Sequence, residues 1–176
     1  MMCAQHALNG ILQGQFFDAS QLGQIAEEIA MYERGELGVE PTDADANALA
    51  HHMDDTGFFS VEVLDRAFKT WSLNLARWRR QGMPERYDHP EREFAFVFNL
   101  GSHWVAIRGF GRAQRQWFNL NSFFAKPQWL GEAYLGTFLH TVRLHTDAGR
   151  TRGVLGVCRR AGAGRRPARQ HRRRHG

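Results

Sequence analysis

The feature that most limits how this chain can fold is a change of apolar period near residue 72. Before it, apolar side chains recur every three or four residues. After it, they alternate or form short blocks bounded by turn residues. The first spacing builds amphipathic helices and the second builds strands. Ala4, Leu8, Ile11 and Leu12 make one helical stripe. Asp18, with Gln21 three residues later, forms a capping-box pair. It precedes a second stripe, Leu22, Ile25, Ala26 and Ile29, expected to end near Arg34. Gly35 to Pro41 reads as a break. Thr42 or Asp43 then caps a short, weakly apolar helix through Ala44, Ala48, Leu49 and Ala50. Met53 to Gly57 reads as a turn. Ser60 caps a strongly apolar helix carrying Val61, Val63, Leu64, Ala67, Phe68 and Trp71.

Leu73 and Leu75, with Trp78, start the strands. Arg79 to Pro90 is polar, contains Gly82 and Pro84, and reads as a long connection. Phe94 to Phe98 is an almost unbroken apolar run, as in a strand covered on both faces. Asn99 to Ser102 turns the chain, His103 to Phe110 is the next strand, and Gln116 to Leu120 is the one after. These three predict an antiparallel meander. Pro127 is expected to open a last helix with Leu130, Tyr134, Leu135, Phe138, Leu139 and Val142 on its face. Val154 to Val157 is a short final strand. Helices first and an antiparallel sheet afterwards is an α+β order.

A length of 176 residues and 43% hydrophobic residues suit one domain with its own core. The net charge of +5 misleads, because ten arginines lie between Arg150 and Gly176; without them 13 Lys+Arg face 18 Asp+Glu. The folded body is therefore acidic. It is expected over residues 1–158, with 159–176 as a disordered arginine-rich tail that has almost nothing to bury. That tail would bind phosphate by charge alone. It offers no aromatic residue for base stacking, so nucleic acid is a partner only through the tail. A nuclear-import address is the competing reading. No apolar run approaches the ~20 residues of a membrane span. No secretory leader is expected where an amphipathic helix already begins. Two distant cysteines do not make a disulfide framework. A reducing compartment, nucleus and/or cytoplasm, is the expected home.

Cys3 opens the first helix, where unpaired N–H groups favour negative charge. A thiolate is the nucleophile of cysteine hydrolases. A lone Cys in an apolar helix is also an ordinary small core residue, so Cys3 needs partners. A metal site with His6 is disfavoured, since Cys158 is the only other cysteine and zinc draws four ligands. His103 starts a strand straight after a turn and can point into a cleft as a general base. His6 diverges along the Cys3 helix, His51 and His52 sit on a polar segment, and His171 and His175 lie in the tail. Asn121, just past the next strand, can fix the imidazole tautomer. Asn119, two residues away on the same face, competes with it. A Cys helix on a sheet, then His, then Asn, resembles the layout of papain-like thiol proteases.

Four blocks carry a closer resemblance. They are Cys3-Ala4-Gln5-His6-Ala7-Leu8-Asn9, Met53-Asp54-Asp55-Thr56-Gly57-Phe58-Phe59-Ser60, Ser102-His103-Trp104-Val105-Ala106-Ile107-Arg108 and Gln116-Trp117-Phe118-Asn119-Leu120-Asn121-Ser122. In residues, order and spacing they resemble the Josephin domain of the ataxin-type deubiquitinases, the Machado–Joseph disease protein family. The resemblance implies a papain-like fold with a helical N-terminal half packed on an antiparallel sheet. It also implies a thiol protease that cleaves the isopeptide bond at the C-terminus of ubiquitin. Its nucleophile falls on Cys3, its base on His103 and its third member on Asn121, which decides between the two asparagines. The partners implied are ubiquitin and its conjugates, with no cofactor, metal or membrane. The family's ubiquitin-contact residues fall on Phe16, Phe17, Val61, Glu62 and Trp71.

The chain departs from the family in three places. The family has a Gln five residues before the nucleophile that helps form the oxyanion hole, whereas only Met1 and Met2 precede Cys3 here. The loss of one such donor costs on the order of 100- to 1,000-fold in rate. An N-terminally truncated, impaired enzyme is therefore expected, with a catalytically weak ubiquitin-binding module as the alternative. The segment between Arg34 and Asp54 is shorter than the family's helical hairpin. The arginine-rich tail stands where the family carries ubiquitin-interacting helices and polyglutamine.

Overall fold

The computed structural model describes residues 2–37, 49, 51–53, 58–78, 89–111, 116–147 and 151–159. The turn at 54–57, the connection at 79–88, the tail from 160 and most of the expected helix at Ala44–Ala50 lie outside the described residues. The elements are helices α1 (Cys3–Leu12), α2 (Ala19–Leu37), α3 (Val61–Lys69) and α4 (Glu132–Asp147), with strands β1 (Leu73–Arg77), β2 (Ala95–Leu100), β3 (His103–Phe110), β4 (Gln116–Asn119), β5 (Gln128–Leu130) and β6 (Thr151–Arg159). Among the described residues no helix is long and apolar enough to cross a membrane.

The helices start where the sequence places their caps. Asp18 Oδ1 accepts from the Gln21 N–H at 2.8 Å while the Asp18 N–H donates to Gln21 Oε1 at 2.9 Å, a reciprocal capping box. Ser60 Oγ accepts from the Val63 N–H at 3.4 Å and caps α3. Helix α2 does not stop near Arg34 but runs through Gly35 to Leu37. A glycine costs about 1 kcal/mol in a helix interior, too little to end one alone. Trp71 lies in the turn after α3 rather than on the helix.

The six strands form one antiparallel sheet in the order β1-β6-β2-β3-β4-β5. The expected meander is its β2-β3-β4 part. Its first turn is tight: Leu100 pairs with His103, and Gly101 and Ser102 between them have φ of 55° and 66°. Two consecutive left-handed residues match the twist of a two-residue hairpin. The Ser102 N–H donates to Asn99 Oδ1 at 3.1 Å and holds the turn closed. This turn fixes the start of β3, and His103 with it.

Side chains of β2 and β3 alternate between two cores. Ala95, Val97, Trp104 and Ala106 face α1, α2 and α3. Phe96, Phe98, Val105 and Ile107 pack on the other face with Leu135, Leu139 and Val142 of α4. Cover on both faces is why the Phe94–Phe98 run shows no polar alternation.

Two expectations at the C-terminal end are corrected. Pro127 does not open the last helix. Gln128, Trp129 and Leu130 instead pair with Asn119, Phe118 and Trp117 as an edge strand, and α4 begins at Glu132. The outer backbone groups of β4 need partners, and Trp129 adds a bond from its Nε1 to Gln116 Oε1 at 2.8 Å. The final strand is not a short addition either. β6 lies between β1 and β2 and pairs with both.

Candidate active site

Helix α1 is held on the sheet at its far end. Arg108 of β3 donates from Nη1 to the Ile11 carbonyl, an orphan acceptor at the helix C-terminus. Buried Asn9 clamps the loop that follows. Its Oδ1 accepts from the Phe16 and Phe17 N–H groups, both at 3.0 Å, and its Nδ2 donates to the Phe17 carbonyl at 2.8 Å. Sequence reasoning gives Asn9 no role. Its only signal is an amide in an otherwise apolar helical stripe.

With α1 fixed, its N-terminus lies against the start of β3. Cys3 is buried, and its sulfur approaches the Ser102 carbonyl at 4.0 Å, beside the peptide that leads into His103. The first helical hydrogen bond runs from the His6 N–H to the Met2 carbonyl, and the Met2 side chain makes no capping bond. The N–H groups of Cys3, Ala4 and Gln5 precede that bond and have no acceptor within the helix.

His103 is 6% exposed. Its Nε2 lies 2.8 Å from Asn121 Oδ1. The same Oδ1 accepts from the Phe123 N–H at 3.0 Å. A backbone N–H can only donate, so this atom of Asn121 is the amide oxygen, and His103 Nε2 must carry a hydrogen to reach it. In the neutral ring the lone pair is then on Nδ1. That atom is buried and has no hydrogen-bond partner among the described residues. Asn119 does not touch the imidazole; its Oδ1 accepts from the Asn121 N–H at 3.1 Å and sets the backbone from which Asn121 projects. The arrangement is a thiol at a helix terminus, a buried ring nitrogen with a lone pair, and an amide that fixes the ring's other nitrogen.

The five residues matched to a ubiquitin surface divide. Phe16 is 41% exposed and packs its ring on Trp71 at 4.3 Å. Gly14 makes room for it, since a Cβ there would fall 2.5 Å from the Phe16 ring. Glu62 is exposed and Val61 half-buried at the start of α3. Phe17 is 9% exposed and belongs to the core. Asn9 holds the N–H groups of both phenylalanines, yet only Phe16 is left exposed.

His52 also departs from its sequence reading. Expected on a polar segment, it is 1% exposed, with Nδ1 3.0 Å from Ser60 Oγ and Nε2 3.0 Å from Glu33 Oε2. Phe123 is a residue that sequence reasoning misses altogether. It stacks flat on His103, with ring centroids 3.9 Å apart and an interplanar angle of 3°. Among the described residues no group of three or more His, Cys, Asp or Glu side chains is placed to hold a metal ion.

A cysteine helix against a sheet, a histidine opening a sheet strand and an asparagine beyond the next strand define the papain-like fold class. A sequence model described as Josephin matches residues 1–147, and the chain belongs to the Josephin family. It is 37% identical over 143 residues to an ataxin-3-like protein of Homo sapiens, a match covering 78% of this chain and 39% of the relative. Ataxin-3 of Homo sapiens is 36% identical over the same length and shares. An ataxin-3 homolog of Arabidopsis thaliana is 32% identical over 149 residues, covering 81% of this chain and 52% of the relative. The chain thus spans about two-fifths of the length of its human relatives. The family match ends before β6, although that strand lies inside the sheet.

Proposed function

We propose that the chain is a thiol-dependent hydrolase that cleaves isopeptide bonds at the C-terminus of ubiquitin. Cys3 is the nucleophile, His103 the general base and acid, and Asn121 the residue that orients the base. The observation that carries this reading is the His103 ring, held through Nε2 by Asn121, with Nδ1 buried and without a hydrogen-bond partner among the described residues. A structural histidine has no use for a desolvated, unpartnered nitrogen, which costs stability. A proton acceptor requires one.

In this mechanism Nδ1 takes the proton from the Cys3 thiol, and the thiolate attacks the ubiquitin C-terminal carbonyl carbon. The oxyanion forms near the N–H groups at the start of α1, which favour negative charge. Collapse breaks the C–N bond, and the leaving lysine amine takes the proton back from Nδ1. Water then attacks the thioester, giving its proton to Nδ1, and its collapse releases the ubiquitin carboxylate and restores the thiol. Phe16 and Trp71, together with Val61 and Glu62, form a contact for ubiquitin. Phe17 serves that contact from inside, by fixing the loop. A setting in the nucleus and/or cytoplasm fits a free thiol nucleophile.

The test is a ubiquitin probe with a C-terminal electrophile. The expected result is a covalent adduct mapped to Cys3, lost in Cys3→Ala and in His103→Ala. Probe binding without any adduct would replace the enzyme by a ubiquitin-binding module. An adduct surviving Cys3→Ala would remove the mechanism.

A further inference from the structure

Phe123 is a large apolar side chain left 64% exposed. Water should drive such a ring to bury itself more deeply. Instead one face lies flat on the His103 imidazole, at 3.9 Å and 3°. Offset stacking and edge-to-face packing are both favoured by aromatic pairs, so the parallel stack at this exposed position calls for a local cause. The backbone supplies part of it. Asn121 Oδ1 accepts from His103 Nε2 at 2.8 Å and from the Phe123 N–H at 3.0 Å. The Phe124 N–H donates to the Asn121 carbonyl at 3.0 Å and closes the same turn. The imidazole and the backbone that carries the phenyl ring therefore hang from one oxygen atom, and the stack joins the two rings directly.

Two consequences follow for the reaction. The phenyl ring keeps water from one side of the His103–Asn121 bond, and a hydrogen bond is electrostatically stronger where water is excluded. Its face is also the negative part of its quadrupole, which attracts the imidazolium formed when Nδ1 takes the thiol proton. From these contacts we infer that Phe123 is a positioning residue: it holds the plane of the His103 ring, and with it the place of Nδ1, through the proton transfers. This rests on the reading of His103 as the base.

The experiment compares Phe123→Leu, Phe123→Tyr and Phe123→Ala with the unaltered chain in the cleavage of a ubiquitin conjugate. Misplacement of a reacting group by ~1 Å costs up to about 10²-fold. The expected loss for Phe123→Leu is thus between roughly tenfold and 10²-fold in kcat, with KM unchanged. Leucine keeps the bulk and polarity but not the flat face. Phe123→Tyr keeps the face and should retain most of the rate; Phe123→Ala should fall at least as low as leucine. A spectroscopic signature accompanies the kinetics. The ring C–H resonances of His103 should lie upfield in the unaltered chain and move to ordinary positions in Phe123→Leu.

Phe123→Leu with undiminished kcat would overturn the positioning role, as would a tyrosine variant no faster than leucine. If His103→Ala is inactive in the same assay, only this inference falls. If His103→Ala is as active as the unaltered chain, or the unaltered chain turns nothing over, the functional reading falls first and the inference with it.

Discussion

His52 and His103 are both buried in one small protein, and their hydrogen bonding differs in one telling respect. Each ring has one nitrogen bound to an oxygen that orients it. At His52 the second nitrogen is engaged as well: Nε2 meets Glu33 Oε2 and Nδ1 meets Ser60 Oγ. The Ser60 N–H in turn donates to the His52 carbonyl at 2.9 Å. At His103 the second nitrogen, Nδ1, meets nothing among the described residues. A fully engaged imidazole ties elements together, here the end of α2 to the start of α3. A half-engaged one retains a lone pair that can take a proton. Both rings are buried histidines; hydrogen-bond completeness separates the clamp from the proposed base.

The comparison can be broken most directly by exchanging the two losses. His103→Ala should remove the base, whose contribution to such reactions is roughly 10²- to 10⁴-fold. Single-turnover cleavage of a ubiquitin conjugate would read that loss, with the urea midpoint moving little. Asn121→Ala should cost less, because the base remains and only its orientation is released; the same assay would rank the two. His52→Ala should invert the pattern. It leaves the site untouched but removes one buried and one part-buried hydrogen bond, each worth about 1 kcal/mol net. Urea unfolding should therefore show a loss of roughly 2 kcal/mol at an unchanged rate. Ser60→Ala removes the α3 cap for about 1 kcal/mol and the partner of His52 Nδ1 for about 1 kcal/mol more. Its urea midpoint should fall about as far as that of His52→Ala, again at an unchanged rate. A loss of rate in His52→Ala greater than that in Asn121→Ala would erase the distinction between the two histidines.

The sequence speaks clearly where local rules govern. The capping box at Asp18, the cap at Ser60 and the apolar runs of β2 and β3 are short-range patterns, and each element forms at its place. It is weaker where tertiary pairing decides. β5 is three residues that become a strand because β4 offers a free edge. β6 carries Gly153 and Gly156, poor strand formers, yet it lies mid-sheet because β1 and β2 need a partner between them. At the site, periodicity puts Asn119 and Asn121 on one face, and only the order of the Trp-Phe-Asn-Leu-Asn-Ser block chooses between them. In the fold their roles divide, since Asn121 meets the ring and Asn119 sets the backbone of Asn121. His52 escapes a sequence reading because burial of a His in a polar stretch depends on partners at Glu33 and Ser60, which no local pattern reveals. Phe123 leaves no sequence signal beyond its place two residues after Asn121.

The proposed mechanism stands on an Nδ1 of His103 that has no partner among the described residues, behind a protonated Nε2. Nitrogen NMR of the imidazole rings reads this directly, at a pH high enough for the ordinary histidine ring to be neutral. His103 is expected as the Nε2–H tautomer, with Nδ1 at the shift of an unprotonated nitrogen. Finding the hydrogen on Nδ1 and the lone pair on Nε2 would contradict it, since no proton acceptor would then be left for the thiol of Cys3.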